Sequence, residues 1–223
     1  MPELTYNPAI FNVNDLRSAM RIILTPETWT TERRWEIETP YLVDLIHQSV
    51  EIAPQTVLLD YGSGIGRIAK ELIARYQCRV VGVDISASMR ALAAPYVQSD
   101  RFHPCSPAMP EALSERDFGA AIAVWVLQHS LRPAEDITMI QRVLKPDARL
   151  FVVDATYRVA PALERPWVND GIDIKRMLSA AFALEQVAGQ VADPDLVMGI
   201  SLASKDRGRR SGAFVADPRP GTP

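Results

Sequence analysis

The chain is poor in several features that would point to a specialised class. Only two cysteines, Cys78 and Cys105, occur in 223 residues, and neither has a second Cys or a His at the spacing of a metal site. No disulfide framework and no metal centre is expected, and two reduced thiols suit a cytoplasmic protein. A basic excess is also missing. Lys and Arg total 24 against 27 Asp and Glu, a formal net charge of -3, which disfavours nucleic acid as a partner. The longest apolar run, residues 120–127, is far shorter than the roughly 20 residues of a membrane-spanning helix. Met1-Pro2-Glu3 lacks the basic and apolar regions of a signal peptide. No internal repeat is visible. What remains is ordinary for a globular protein, 48% hydrophobic and 23% charged, and the length suits one α/β domain with an appendage.

The informative stretch is Val57-Leu58-Leu59-Asp60-Tyr61-Gly62-Ser63-Gly64-Ile65-Gly66-Arg67. An apolar run reads as a buried parallel strand, and residues 68–75 follow with helical periodicity. Strand, glycine turn and helix bring the backbone of an α/β sheet close to a nucleotide-like ligand, because glycine lacks Cβ and tolerates positive φ. The first N–H groups of the helix then face that ligand. A dinucleotide fingerprint, Gly-x-Gly-x-x-Gly, is missing its last glycine, which would fall at Arg67. An NAD-dependent oxidoreductase is therefore disfavoured. Asp60, at the strand end, suits a ligand carrying an ammonium group. A second strand, residues 78–83, ends in Asp84, 24 residues after Asp60. Nucleotide-binding folds place an acid at about that separation on a ribose hydroxyl pair, and a carboxylate offers two acceptors for two donors. The alternative for Asp84 is a simple helix cap.

The Asp-x-Gly-x-Gly-x-Gly spacing, the Val83-Asp84-Ile85-Ser86 sequence and the Val126-Leu127-Gln128-His129 exit of a fourth strand resemble the class I S-adenosylmethionine-dependent methyltransferases. The fourth-strand segment resembles that of their ubiquinone-methyltransferase-like, small-molecule branch. The resemblance implies a Rossmann-like α/β fold. Its seven-stranded, mostly parallel sheet has helices on both faces, an antiparallel seventh strand inserted beside the sixth, and an N-terminal helical cap. It implies S-adenosyl-L-methionine as cofactor and a small-molecule methyl acceptor. The cofactor residues it implies are Asp60, Gly62, Gly64, Gly66, Asp84, Ile85, Ser106, Val124 and Trp125, with no metal. Ser106 stands where the family often has an acid touching the adenine amino group. Gly119 and Val124 replace a usual acid and a usual polar residue, and Asp147-Ala148 replaces a usual Gly-Gly turn. A Trp face near a sulfonium is physically sensible, and core packing of Trp125 is the alternative. His129, past the fourth strand at the carboxyl end of the sheet, is the best-placed catalytic base, or else a structural group holding the next helix.

Around this centre the chain divides into residues 1–53, a helical lid, 54–205, the cofactor-binding domain, and 206–223, a flexible tail. Asn14 or Asp15 caps a first helix that Pro26 ends. Thr30 or Thr31 caps a second over residues 32–38, and Thr39-Pro40 starts a third. Trp29, Arg33, Arg34, Trp35 and Tyr41 are candidate lid or substrate residues, against packing for the aromatics and solvation for the arginines. Tyr96 to Gln98 or Arg101 to His103 carries the third strand. Residues 174–182 form a last helix, and 184–191 and 196–204 the final strands. Arg158, Arg165 and Trp167 sit on a connection suited to a substrate rim. A methyltransferase-fold binding or regulatory protein without turnover, and an enzyme acting on RNA or protein, are the competing functions.

Overall fold

The computed structural model describes residues 5–25, 29–108, 117–155, 157–186 and 211–218. Its centre is a seven-stranded sheet in the order β3-β2-β1-β4-β5-β9-β8. β1 (Val57–Tyr61) lies between β2 (Arg79–Val83) and β4 (Phe118–Val124), parallel to both. β3 (Phe102–Cys105) and β5 (Leu144–Ala155) extend the parallel run on either side. Five parallel strands result, and β9 (Ser211–Pro218) then runs antiparallel to both β5 and β8 (Phe182–Gln186). Successive strand residues point to opposite faces. Leu58, Ile122 and Phe151 meet residues of α2 (Thr31–Ser49) and α3 (Arg67–Tyr76) on one face. Leu59, Ala121 and Leu150 meet α5 (Pro133–Val143) and α6 (Ile174–Ala181) on the other. Covering both faces is what allows strands this continuously apolar.

Several local expectations shift. β3 contains Pro104, which donates no backbone hydrogen bond, and the strand tolerates it by lying at the sheet edge. Tyr96 and Val97 belong instead to α4 (Ala87–Val97). Thr39-Pro40 does not start a helix, because α2 runs through it. The Thr39 hydroxyl bonds back to the Trp35 carbonyl at 2.5 Å, and Pro40 sits inside the turn that follows. The turn expected at Asp147-Ala148 lies instead within β5, where the β4–β5 register shifts from Phe118 opposite Leu144 to Ala120 opposite Arg149. The largest correction is the tail. Residues 196–204 lie outside the described residues, and the last strand of the sheet is Ser211–Pro218, in the segment expected to be flexible and past the domain end expected at 205. Two neighbouring strands offer it hydrogen-bonding rows, and Ala213-Phe214-Val215-Ala216 is an apolar run that suits a central strand.

Two additions build the mouth above the carboxyl ends of the strands. Asp15 caps α1 (Leu16–Ile23) in a reciprocal box with Ser18. β6 (Tyr157–Ala160) and β7 (Val168–Asp173) form a separate hairpin. The N-terminal segment is tied to its connecting loop: Asn7 N–H donates to the Pro161 carbonyl at 2.9 Å, and Leu163 N–H to the Thr5 carbonyl at 3.0 Å. Among the described residues no helix is long and apolar enough to cross a membrane.

Candidate active site

A cavity of about 730 Å³ opens where β1, β2 and β4 end, the place where open parallel sheets bind ligands. The glycine loop forms its floor. Gly62, Gly64 and Gly66 have φ of 78°, 55° and 81°, all in the left-handed region. Gly62 and Ser63 donate backbone bonds to the Val83 carbonyl at 2.7 and 3.0 Å, which ties the loop to the end of β2. A Cβ on Gly62 would lie 2.3 Å from Val126 Cγ2, and one on Gly64 would lie 2.8 Å from Ile23 Cδ1. Protein side chains from the β4 exit and from α1 therefore press directly onto the loop. Gly62 and Gly64 line the cavity; Gly66 does not. It caps α3, where a Cβ would lie 2.5 Å from Val97 Cγ2.

Asp60 is buried at the cavity floor, and its Oδ2 has no hydrogen-bond partner. Burial first, and the nearby Asp84 second, push its pKa up to about 7, against the pull of Arg67. Asp84 accepts the Gly64 N–H on Oδ2 and the Ser86 N–H on Oδ1, each at 2.8 Å. Burial raises its pKa too, and those two bonds oppose the rise. Asp84 is not the helix cap: Ser86 fills that position, accepting the Met89 N–H at 3.3 Å. Ile85, half exposed, stands on the rim. Ser106 follows β3 and is not a lining residue, while Pro107 is.

Arg67, which breaks the dinucleotide pattern, is itself part of the site. It is buried, lines the cavity, and its Nη1 has no hydrogen-bond partner. Its nearest carboxylate is Glu38 at 3.9 Å, and its guanidinium lies 5.4 Å from the Trp35 ring centroid. Burial lowers its pKa to about 10, with Glu38 opposing, so it stays charged at neutral pH. Glu38 is held by Arg34 Nε at 2.6 Å, and Arg34 also donates to the Thr25 carbonyl at 2.7 Å. Arg34 is thus a buried lining residue, whereas Arg33 is exposed and paired with Glu36. Trp35 packs under Arg67 and edge-on to Tyr96 at 6.2 Å, and Tyr41 packs against the core. The sequence signal for Arg67 was a cation in the first turn of a helix, against the helix dipole, which calls for an anionic partner.

Val124 and Trp125 both line the cavity. Trp125 has φ of 57°, a costly conformation for a bulky residue, and its N–H is tied to the Val153 carbonyl at 2.7 Å. His129 lies in the short 3-10 turn Leu127–His129. Its Nδ1 is 2.8 Å from the Val159 carbonyl, which can only accept, so Nδ1 carries the proton. Nε2 is then an acceptor, 3.0 Å from the Gln128 amide nitrogen. The His129 ring lies 4.8 Å from Trp167 and 6.1 Å from Phe11, centroid to centroid, and Tyr6 donates to the His129 carbonyl at 3.0 Å. Phe11 was not singled out as a wall residue because its place depends on a strap held by residues about 155 positions later. Asp136 also lines the cavity, with its carboxylate accepting from Ser130 and Tyr61. Arg158 is fastened to Asp170 and to the Leu131 carbonyl, a support for the rim; Arg165 is exposed.

Residues 59–152 match the family described as a methyltransferase domain. The chain has the class I methyltransferase fold. The chain superposes on the [4+2]-cyclase SpnF with a TM-score of 0.61 at 19% identity, over 98% of this chain and 88% of that one. It superposes on the geranyl diphosphate C-methyltransferase of Streptomyces coelicolor, crystallised with Mg2+, geranyl diphosphate and S-adenosyl-L-homocysteine, with a TM-score of 0.60 at 14% identity over 98% and 91%. YcgJ of Bacillus subtilis matches with a TM-score of 0.60 at 16% identity over 82% and 100%. No curated protein matches the chain by sequence.

Proposed function

We propose that the chain is a methyltransferase that binds S-adenosyl-L-methionine and methylates a small molecule. One observation carries the reading: two buried atoms of opposite charge without a hydrogen bond, Asp60 Oδ2 and Arg67 Nη1, the latter 3.9 Å from Glu38, line the same cavity. A buried charge without a hydrogen bond is costly, and a zwitterionic amino-acid group supplies an ammonium for one and a carboxylate for the other. Asp84, oriented by its two backbone bonds, retains lone pairs for a ribose hydroxyl pair. Ile85 and Pro107 border the base. Gly62 and Gly64 let Val126 and Ile23 close onto the floor with no side chain of the loop between, and Gly66 sets the start of α3. When bound, S-adenosyl-L-methionine supplies a methyl group already activated on a sulfonium. Val124 and the Trp125 ring are the surfaces for that cation. The remaining task of the protein is to align the acceptor and exclude water, for which the residues before α2 act as the lid. His129 Nε2 receives the proton that the acceptor loses.

Calorimetry with S-adenosyl-L-methionine tests this directly, with Asp84→Ala expected to weaken binding by about tenfold or more. No measurable binding by the wild type at millimolar ligand would refute it. A second reading, a cofactor pocket without methyl transfer, is favoured by the likeness to a cyclase. Labelled-methyl transfer to a metabolite library separates the two, since sustained product formation excludes it.

A further inference from the structure

We infer that Arg34 is a positioning residue: by holding Glu38 it keeps that carboxylate from closing on Arg67, and the Arg67 guanidinium stays open to the carboxylate of the bound amino-acid group. The inference rests on the reading of the cavity as a cofactor site. Two buried arginines share one buried glutamate. Arg34 and Glu38 stand four residues apart on α2, which puts them on one face of that helix. Arg67, in the first turn of α3, approaches the same carboxylate from the neighbouring helix. The side chains of Arg34, Glu38 and Arg67 are 9%, 3% and 3% exposed. The sharing is unequal. Glu38 Oε1 accepts from Arg34 Nε at 2.6 Å, while Glu38 Oε2 stays 3.9 Å from Arg67 Nη1, beyond hydrogen-bond reach. That Nη1 has no hydrogen-bond partner elsewhere among the described residues.

A buried guanidinium this close to a buried carboxylate gains by bonding to it directly. Arg34 opposes that closure because it is itself anchored. Its Nη1 donates to the Thr25 carbonyl at 2.7 Å, and the Thr31 hydroxyl holds the preceding carbonyl, that of Leu24, at 2.8 Å. The turn before α2 thus fixes Arg34, and Arg34 fixes Glu38. Arg67 has a second support that leaves its donors free: its guanidinium carbon lies 5.4 Å from the centroid of the Trp35 ring. Arg34 and Arg67 line the cavity, whereas Glu38 does not. A ligand carboxylate entering there competes with Glu38 for Arg67, and the Arg34 bond decides the competition in favour of the ligand.

The test is calorimetry on the full chain with S-adenosyl-L-homocysteine and with 5'-methylthioadenosine, which has no carboxylate. Arg34→Met frees Glu38 to pair with Arg67. It should weaken S-adenosyl-L-homocysteine by about tenfold or more and leave 5'-methylthioadenosine within about twofold, because only the charged hydrogen bond is lost. Adding Glu38→Gln removes the competing charge, so the double variant should recover to within about threefold of the wild type. Glu38→Gln alone should bind S-adenosyl-L-homocysteine at least as tightly as the wild type, and it carries the test if the double variant does not fold, which binding of 5'-methylthioadenosine reveals. The recovery is what separates the inference from a direct contact of Arg34 with the ligand or a support of the fold, since neither is restored by a second substitution. A double variant as weak as Arg34→Met overturns the inference. So do an Arg34→Met variant that binds S-adenosyl-L-homocysteine unchanged, equal losses for the two ligands, or a Glu38→Gln variant weaker than the wild type. Failure of the wild type to bind S-adenosyl-L-homocysteine is a different outcome, and it refutes the cofactor reading instead.

Discussion

Replacing Asp60 with asparagine is expected to move stability and ligand binding in opposite directions. In the ligand-free fold burial and Asp84 push the Asp60 pKa up to about 7, against about 3.9 in an unfolded chain. A folded pKa above the unfolded one means that the protonated form is the one the fold favours. That stabilisation is complete below pH about 4 and is lost as pH rises through about 7. A gap of about 3, at ~1.4 kcal/mol for each, puts the cost of holding the carboxylate at pH 8 at about 4 kcal/mol. Asp60→Asn lacks the charge and avoids that cost, so its denaturation midpoint at pH 8 should exceed that of the wild type, with the difference vanishing near pH 4. Binding runs the other way. The ammonium of S-adenosyl-L-methionine needs the carboxylate, so the wild-type Kd should rise by about 25-fold from pH 7.5 to 5.5, about 2 kcal/mol, as Asp60 takes up its proton. Calorimetry across that interval measures it. Arg67, with a pKa of about 10, stays charged throughout and does not contribute. If Asp60→Asn shows the same fall in affinity with pH, or is less stable than the wild type at pH 8, the placement of an uncompensated carboxylate opposite the ammonium is wrong.

Three further outcomes are expected. Arg67→Met should weaken S-adenosyl-L-methionine by roughly tenfold to a hundredfold, the range for a lost charged hydrogen bond. It should leave 5'-methylthioadenosine, which has no carboxylate, nearly unaffected; equal losses for both ligands would assign Arg67 a purely structural role. Gly66→Ala should destabilise the fold by about 2 kcal/mol or more in urea unfolding, because its φ is 81° and the new Cβ meets Val97 Cγ2 at 2.5 Å. Cofactor affinity of the folded fraction should hold. Truncation after residue 210 removes β9 and leaves β5 and β8 without their shared partner. The truncated chain should therefore lose cooperative unfolding or aggregate, and a monomeric product with an unchanged melting temperature would refute the central position of that strand.

The parallel core was legible because its signals are local. Apolar runs ending in Asp60 and Asp84, with glycines between strand and helix, are periodic patterns that a short window reveals. What was not legible depended on distant partners. Arg67 was read as a mismatch, since its meaning comes from Glu38, Trp35 and Asp60, which packing gathers around it. Gly66 was grouped with the ligand loop, yet its missing Cβ makes room for Val97. Ser211–Pro218 was read as tail because the charged stretch before it dominates the composition, whereas its place is set by the open edges of β5 and β8. Pro40 reads as a helix start in isolation; the Thr39 hydroxyl and the packing of α2 on the sheet carry the helix past it.

The strap from Thr5 to Phe11 is fastened through main-chain groups, Asn7 N–H to Pro161 and Leu163 N–H to the Thr5 carbonyl. Main-chain fastening makes no demand on side-chain identity. The strap therefore keeps its mounting when Phe11 is exchanged for another side chain, whereas Tyr6 also fastens it through the hydroxyl given to the His129 carbonyl, and the glycine floor at Gly62–Gly64 belongs to a different part of the chain. On the proposed function, selectivity for the acceptor and affinity for the donor are then separately adjustable.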